Sequence, residues 1–342
     1  MFTIKIDIVP RLLHFKQPAG TSRGTYTTRK VWYLRISSDE HPGRIGIGEC
    51  APLPALSCDD LPDYEQILIA ECRRVEESKG ELDREALRDY PSILFGLETA
   101  LRHYQVGSYA LWDTPFSRSE AGIPINGLIW MGDFDKMLSQ IEAKMQSGYR
   151  CIKLKIGAIH FEEELALLRH IRAHFSAKEV ELRVDANGAF SPHDAMDKLQ
   201  RLAELDLHSI EQPIRAGQWE EMARLTEQTP LPIALDEELI GCNTCEGKKK
   251  LLSVIRPQYI ILKPSLHGGI SGGNEWIEEA EAQKIGWWIT SALESNIGLN
   301  AVAQWCATFQ NPLPQGLGTG LLFTDNVDMP LEIRKDCIWY LG

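Results

Sequence analysis

Five charged residues stand at or just past the ends of short apolar runs: Lys155 after CIKL, Asp185 after VELRV, Glu211 after HSI, Asp236 after LPIAL and Lys263 after YIIL. Lys153 to Asp185 is 32 residues, Asp185 to Glu211 is 26, Glu211 to Asp236 is 25 and Asp236 to Lys263 is 27. Carboxylates gathered from successive strands repel and raise one another's pKa unless a cation sits among them. Asp185, Glu211 and Asp236 are hard oxygen donors, and no histidine or cysteine accompanies them, which favours Mg2+ over zinc, with Mn2+ able to substitute. Lys153 and Lys155 flank one residue, so on a strand both face the same side, and Arg183 and Asp185 repeat that arrangement. A lysine near a metal and other cations loses part of its preference for charge, and its pKa falls toward the range where it removes protons. A metal between Lys155 and Lys263 suits removal of a proton beside a carboxylate, with the enediolate charge absorbed by the cation.

Positioning these residues requires a repeated strand and helix. The apolar runs start at Ile123, Cys151, Val180, His208, Leu231, Tyr259 and Gly286, with a fainter one near Pro314–Thr319, and charged helical stretches such as FEEELALLRHIRAHF lie between them. The repeats share no residue signature, which disfavours a solenoid. An eightfold βα barrel explains the spacing, and it would deliver all five charges to the rim where barrel active sites lie. Residues 1–115 read differently, as an α+β mixture: strands at Thr3–Val9, Val31–Ile36 and Arg44–Glu49, helices near 60–77 and 92–106. The stretch Leu331–Tyr340 reads as a strand returning to pack on that N-terminal part.

The 342 residues, 44% hydrophobic and 25% charged, suit a globular chain with a large core. A net charge of −12 without a basic cluster argues against nucleic acid as a partner. No apolar run reaches membrane-spanning length, and the opening MFTIKIDIVPRLLHF alternates like a strand rather than a signal peptide, so a cytoplasmic protein with reduced thiols is expected. Cys242 and Cys245 form a C-x-x-C without a second ligand pair, and a plain loop is expected there. His170 and His174 share a helical face but lack the glutamate of a metalloprotease pair, the run Lys248–Lys250 reads as a solvated helix face, and Trp287 and Trp288 read as core.

Taken together, K-L-K at Lys153–Lys155, D-A-N at Asp185–Asn187, E-Q-P at Glu211–Pro213, D-E at Asp236–Glu237 and I-L-K-P at Ile261–Pro264 resemble the muconate-lactonising subgroup of the enolase superfamily. G-I-G-E-C-A-P-L-P at Gly46–Pro54 resembles its capping domain. The resemblance implies an α/β fold: a modified TIM barrel of the (β/α)7β type over residues 116–319, with an N-terminal α+β capping domain over 1–115 to which 320–342 returns. Within the subgroup, S-A-L-E-S-N-I-G from Ser291 and G-L-G-T-G-L-L-F-T-D-N from Gly316 look most like the o-succinylbenzoate synthases of menaquinone biosynthesis. That family is a hydro-lyase family acting on a small carboxylate, 2-succinyl-6-hydroxy-2,4-cyclohexadiene-1-carboxylate.

Carried over by position, the resemblance implies that Lys155 is the base and then the acid, while Lys263 stays cationic opposite it. Lys153 keeps the field positive, and Asp185, Glu211 and Asp236 bind Mg2+. It further implies supporting roles for Asn187, Glu237 and Arg183 and places Ser291, Glu294 and Gly316 in substrate loops. Loops Lys16–Thr28 and Cys50–Cys58 would close over the site, with Thr25, Thr27 and Thr28 as candidate contacts. Two lysines on opposite faces would equally serve an N-acylamino acid racemase or a dipeptide epimerase. The dipeptide enzymes carry an aspartate pair near the end of the seventh or eighth strand, where this chain has S-A-L-E.

Overall fold

A computed structural model describes the chain except residues 1–2, 22–23, 131 and 158. The first sheet is antiparallel: β1 (Ile4–Thr21) pairs with β2 (Gly24–Ser38), and β2 with β3 (Gly46–Cys50). Alternation along β2 turns Val31, Tyr33 and Arg29 to one side and Trp32, Leu34 and Ile36 to the other. Both faces are buried. Trp32, Leu34 and Ile36 pack with α1 (Tyr64–Glu77) and α2 (Pro91–Val106), while Val31 and Tyr33 pack toward Ala292, Leu293 and Ile297 of the rest of the chain. Helix α2 lies unusually close to β3, because Gly48 and Gly96 leave no side chain between the backbones. A Cβ on Gly48 would fall 2.0 Å from the Gly96 carbonyl oxygen.

The barrel elements then follow: β4 (Ile123–Pro124), β5 (Gly127–Ile129), α3 (Phe134–Gln146), β6 (Cys151–Lys155), α4 (Phe161–His174), β7 (Glu181–Asp185) and α5 (Ala195–Ala203). After them come β8 (Ser209–Glu211), α6 (Trp219–Gln228), β9 (Ile233–Leu235), α7 (Cys245–Ile255), β10 (Tyr259–Leu262), α8 (Gly269–Ala282), β11 (Gly286–Ile289) and α9 (Asn296–Cys306). Strands β5 to β11 form one parallel seven-stranded sheet in sequence order. Two parallel bridges, Ile125 with Gln315 and Thr290 with Gly316, join its edges. The eighth strand expected near Pro314–Thr319 is thus reduced to these residues, and they close the barrel. The result is an α/β fold with a modified TIM barrel of the (β/α)7β type.

The single strand expected over Leu331–Tyr340 is two. Residues of β12 (Leu331–Arg334) and β13 (Cys337–Tyr340) form a hairpin that pairs with β4, not with the N-terminal sheet. The return to that sheet is made earlier, where Phe323 bridges Phe15 and Asp325 faces His14 at 2.9 Å. Lys248 is also not solvated: it is wholly buried and donates to Glu275 Oε2 at 2.6 Å and to the Gly272 carbonyl at 3.0 Å. Trp287 and Trp288 are core, and the eight cysteines are free thiols, with Cys242 half-buried and Cys245 exposed. Among the described residues no helix is long and apolar enough to cross a membrane.

Candidate active site

Register carries the charges to one rim. Lys155 pairs with Asp185 and Asp185 with Glu211 across β6, β7 and β8, while Asp236 and Lys263 directly follow β9 and β10. The Lys153 Nζ lies 3.0 Å from Asp185 Oδ2 and 2.6 Å from Glu211 Oε2, so its ammonium sits between two acids. Lys155 stands 3.4 Å from Asp185 and donates to Asn187 Oδ1 at 2.8 Å, and on the far side Lys263 donates to Asp236. Asn187 adopts the left-handed conformation that asparagine tolerates better than most residues, with φ of 43°. Its amide then donates to Glu237 Oε1 at 3.0 Å, so one residue ties Lys155 to Glu237.

The electrostatics follow from burying these groups together. Burial and then the charge of Asp185 push the Glu211 carboxyl well above the usual range. Burial and then Asp236 push Glu237 up to about 7. Asp185 and Asp236 go the other way, because the lysines outweigh the burial that would raise them. Burial likewise opposes the charges of Lys153 and Lys263, but the surrounding carboxylates overcome it and hold both above the ordinary lysine range. The lowered lysine expected from the sequence presupposed a metal's positive charge; for Lys153 and Lys263 beside the acids alone the direction is upward.

Among the described residues no three His, Cys, Asp or Glu side chains form a ready-made metal-holding group, since lysine ammoniums stand among the acids. The donor set nevertheless fits a hard divalent cation. All three acids are buried, and Glu211 Oε1 and Asp236 Oδ1 have no hydrogen-bond partner among the described residues. Buried carboxylate oxygens left without partners are costly unless a cation takes them. Gln212, which the sequence reading passed over, holds the third acid in place: its Oε1 accepts from the Asp236 N–H at 3.1 Å and the Glu238 N–H at 3.2 Å.

A cavity of about 660 Å³ opens on this rim, with Lys153, Lys155, Asp185, Asn187, Asp236 and Lys263 in its floor. Ser291 and Gly316 line it, as does Glu237. Glu294 does not. It is fully buried and accepts from Ser291 Oγ at 2.6 Å, Ser265 Oγ at 2.5 Å and the Ala292 N–H at 2.7 Å, so it shapes the loop rather than facing a ligand. Arg183 is also displaced from its expected role. Its partners are Glu181, the Pro314 carbonyl and the Trp288 ring at 4.3 Å, deeper in the barrel. The expected loop Lys16–Thr28 is instead the ends of β1 and β2, since strand pairing continues there; Gln17 of β1 reaches the cavity with Leu53 and Leu56, Thr25, Thr27 and Thr28 lie outside its lining, and Ser22 and Arg23 lie outside the described residues. Thr290 and Asn126 line it too, uncharged residues that no spacing singled out.

A family model described as "Enolase C-terminal domain-like" matches residues 136–339, which hold every one of the rim charges. The chain belongs to that family. Enzymes of the enolase superfamily depend on a divalent metal. The chain is similar to a protein named o-succinylbenzoate synthase from Desulfotalea psychrophila, 48% identical and aligned over 94% of this chain and 95% of the relative. The solved structure of MenC from Desulfotalea psychrophila LSv54 superposes with a TM-score of 0.85 at 41% identity, covering 98% of this chain and 99% of that one. An L-Ala-D/L-Glu epimerase from Bacillus subtilis is 24% identical over 98% of this chain and 90% of the relative.

Proposed function

We propose that this enolase-superfamily enzyme dehydrates 2-succinyl-6-hydroxy-2,4-cyclohexadiene-1-carboxylate to o-succinylbenzoate, a hydro-lyase reaction of menaquinone biosynthesis in the cytoplasm. The observation that carries the reading is the 48% identity to a relative of that name across nearly the full length of both chains, twice the identity to the epimerase. In this reading residues 1–115 cap the barrel of residues 116–319, and the 320–342 segment returns to the cap, as the contacts of Phe323 with Phe15 and Asp325 with His14 support.

Lys155, held by Asn187 beside Asp185, takes the proton next to the substrate carboxylate. The carbon–oxygen bond to the ring hydroxyl then breaks, Lys155 returns the proton to the departing oxygen as water leaves, and the ring becomes aromatic. Lys263, kept cationic by Asp236, lies opposite and attracts the negative charge that develops on the substrate, with a cation–π contact as the ring forms. Asp185, Glu211 and Asp236 would hold Mg2+, or Mn2+ in its place, and the cation would neutralise charge growing on the substrate carboxylate. Leu53, Leu56 and Leu293 supply an apolar wall for the ring and keep water from the reacting carbon.

The test is to incubate purified protein with Mg2+ and the cyclohexadiene and follow the loss of its absorbance. Racemisation of an N-acylamino acid or epimerisation of a dipeptide, with no dehydration, would replace this reading with the second use that two opposed lysines permit.

A further inference from the structure

The wall of the cavity comes from two separate parts of the chain, and one buried side chain joins them. Leu53 and Leu56 arrive on the loop after β3, and Ser291, Ala292 and Leu293 on the loop after β11. Neither loop is regular structure. Arg29, on β2, is 1% exposed and among the described residues has all of its acceptors on these two loops: Nη1 donates to the Pro52 carbonyl at 2.7 Å, Nη2 to Ala51 at 2.6 Å and to Ala292 at 3.3 Å, and Nε to Leu293 at 3.3 Å. Among the described residues no carboxylate is bonded to the guanidinium; burial works against its charge, and Glu294 and Glu49 nearby offset only part of that. A planar fork with five donors can span four carbonyls in one geometry, which a flexible ammonium cannot.

The neighbouring contacts lie along the same seam. Leu293 has φ of 64°, a conformation costly for a branched side chain, and Arg29 donates to its carbonyl. Glu49, at the end of β3, accepts from the Ser295 N–H at 2.8 Å, Ser295 Oγ at 2.5 Å and the Gly298 N–H at 2.8 Å, capping the start of α9 from the other sheet. Ala51 and Pro52 on one side and Ala292 and Leu293 on the other are therefore fixed relative to each other through Arg29, and the cavity-facing leucines follow them.

We propose that Arg29 is a positioning residue that sets the distance between the two walls of the substrate cavity, and through it the fit of the substrate between them. The kinetic readout rests on the dehydration proposed above; the clamp does not. Arg29 touches neither the rim charges nor the cavity, so its effect on turnover has to pass through the loops.

Arg29→Lys and Arg29→Ala, compared with wild type by hydrogen exchange and by steady-state kinetics, test this. For Arg29→Lys, amides of residues 51–57 and 291–295 are expected to exchange at least about tenfold faster together, with the barrel strands unchanged. KM for the cyclohexadiene should rise roughly tenfold while kcat stays within about threefold, the pattern of lost uniform binding. Arg29→Ala should show the same pattern, enlarged. Exchange confined to one loop, a fall in kcat at unchanged KM, no change in either readout, or failure of both variants to fold would each overturn the proposal. If wild type leaves the cyclohexadiene untouched, the proposed reaction fails while the paired exchange still reads the clamp.

Discussion

Lys155 and Lys263 stand on one rim with unequal contacts. Lys155 contacts an amide oxygen and one acid at 3.4 Å, whereas Lys263 is tied directly to Asp236. In the proposed reaction the looser ammonium is the one that exchanges a proton. Lys155→Ala should therefore lower kcat by about 10³-fold, within the range for loss of a general acid–base group, with the fold intact by circular dichroism. Near-normal turnover would mean the base lies elsewhere. Exhaustive chelation should abolish activity and added Mg2+ restore it; titration calorimetry of Lys155→Ala should still register the ion, because Asp185, Glu211 and Asp236 remain. These residues were legible because charge at the ends of apolar runs is conspicuous and its spacing of 25 to 32 residues repeats. Thr290, Asn126 and Gln212 were not, since an uncharged side chain in a barrel strand or its flank looks like any other. Glu294 was legible as important and misread as facing the substrate, because a sequence does not say which way a loop carboxylate turns.

At the scale of elements, the same spacing located strands β6 to β10 and the helices between them, while the first sheet was only partly visible. Strand β1 runs from Ile4 to Thr21, far past the Thr3–Val9 strand read from the sequence, paired with β2 on both sides of a register shift between His14 and Ala19 and burying Leu13, Phe15 and Ala19. The β12–β13 hairpin reads in the sequence as one strand, and its pairing with β4 was not legible because an edge strand carries no mark of its partner. Close packing of β3 on α2 does leave a mark, in the glycines of G-I-G-E. Gly48→Ala would put a Cβ 2.0 Å from the Gly96 carbonyl oxygen and 2.9 Å from the Ala100 Cβ, contacts that only backbone movement can relieve. Overpacking of this kind costs about 1–3 kcal/mol. Differential scanning calorimetry should record a Tm lower by about 5 °C, whereas Gly43→Ala, with nothing within 4 Å of the added Cβ, should lose less despite its φ of 86°. Equal losses would show that the β3–α2 contact is not tight.

For the molecule as a whole, the family was readable from order and spacing, but the way the N-terminal part is fastened to the barrel was not. Arg88 and Glu275 are separated by 187 residues, and nothing in either neighbourhood announces the other. Folded, they meet in two hydrogen bonds of 2.9 Å, and Glu275 also accepts from the buried Lys248 at 2.6 Å. Burial pushes the Glu275 carboxyl upward, but Arg88 and Lys248 outweigh it and hold it down at about 2, against 4.5 when unpaired. A carboxylate whose pKa is depressed in the folded state contributes stability that is complete above the unpaired value and is lost as pH falls toward the folded one. The contribution reaches at most about 3 kcal/mol, from 1.36 kcal/mol per pKa unit. Glu275→Gln should therefore melt several degrees below wild type at pH 7, with a gap that holds down to about pH 5 and narrows from pH 4.5 to pH 3. A gap independent of pH over that range would mean that the side chain's shape, not its charge, joins the two parts of the molecule.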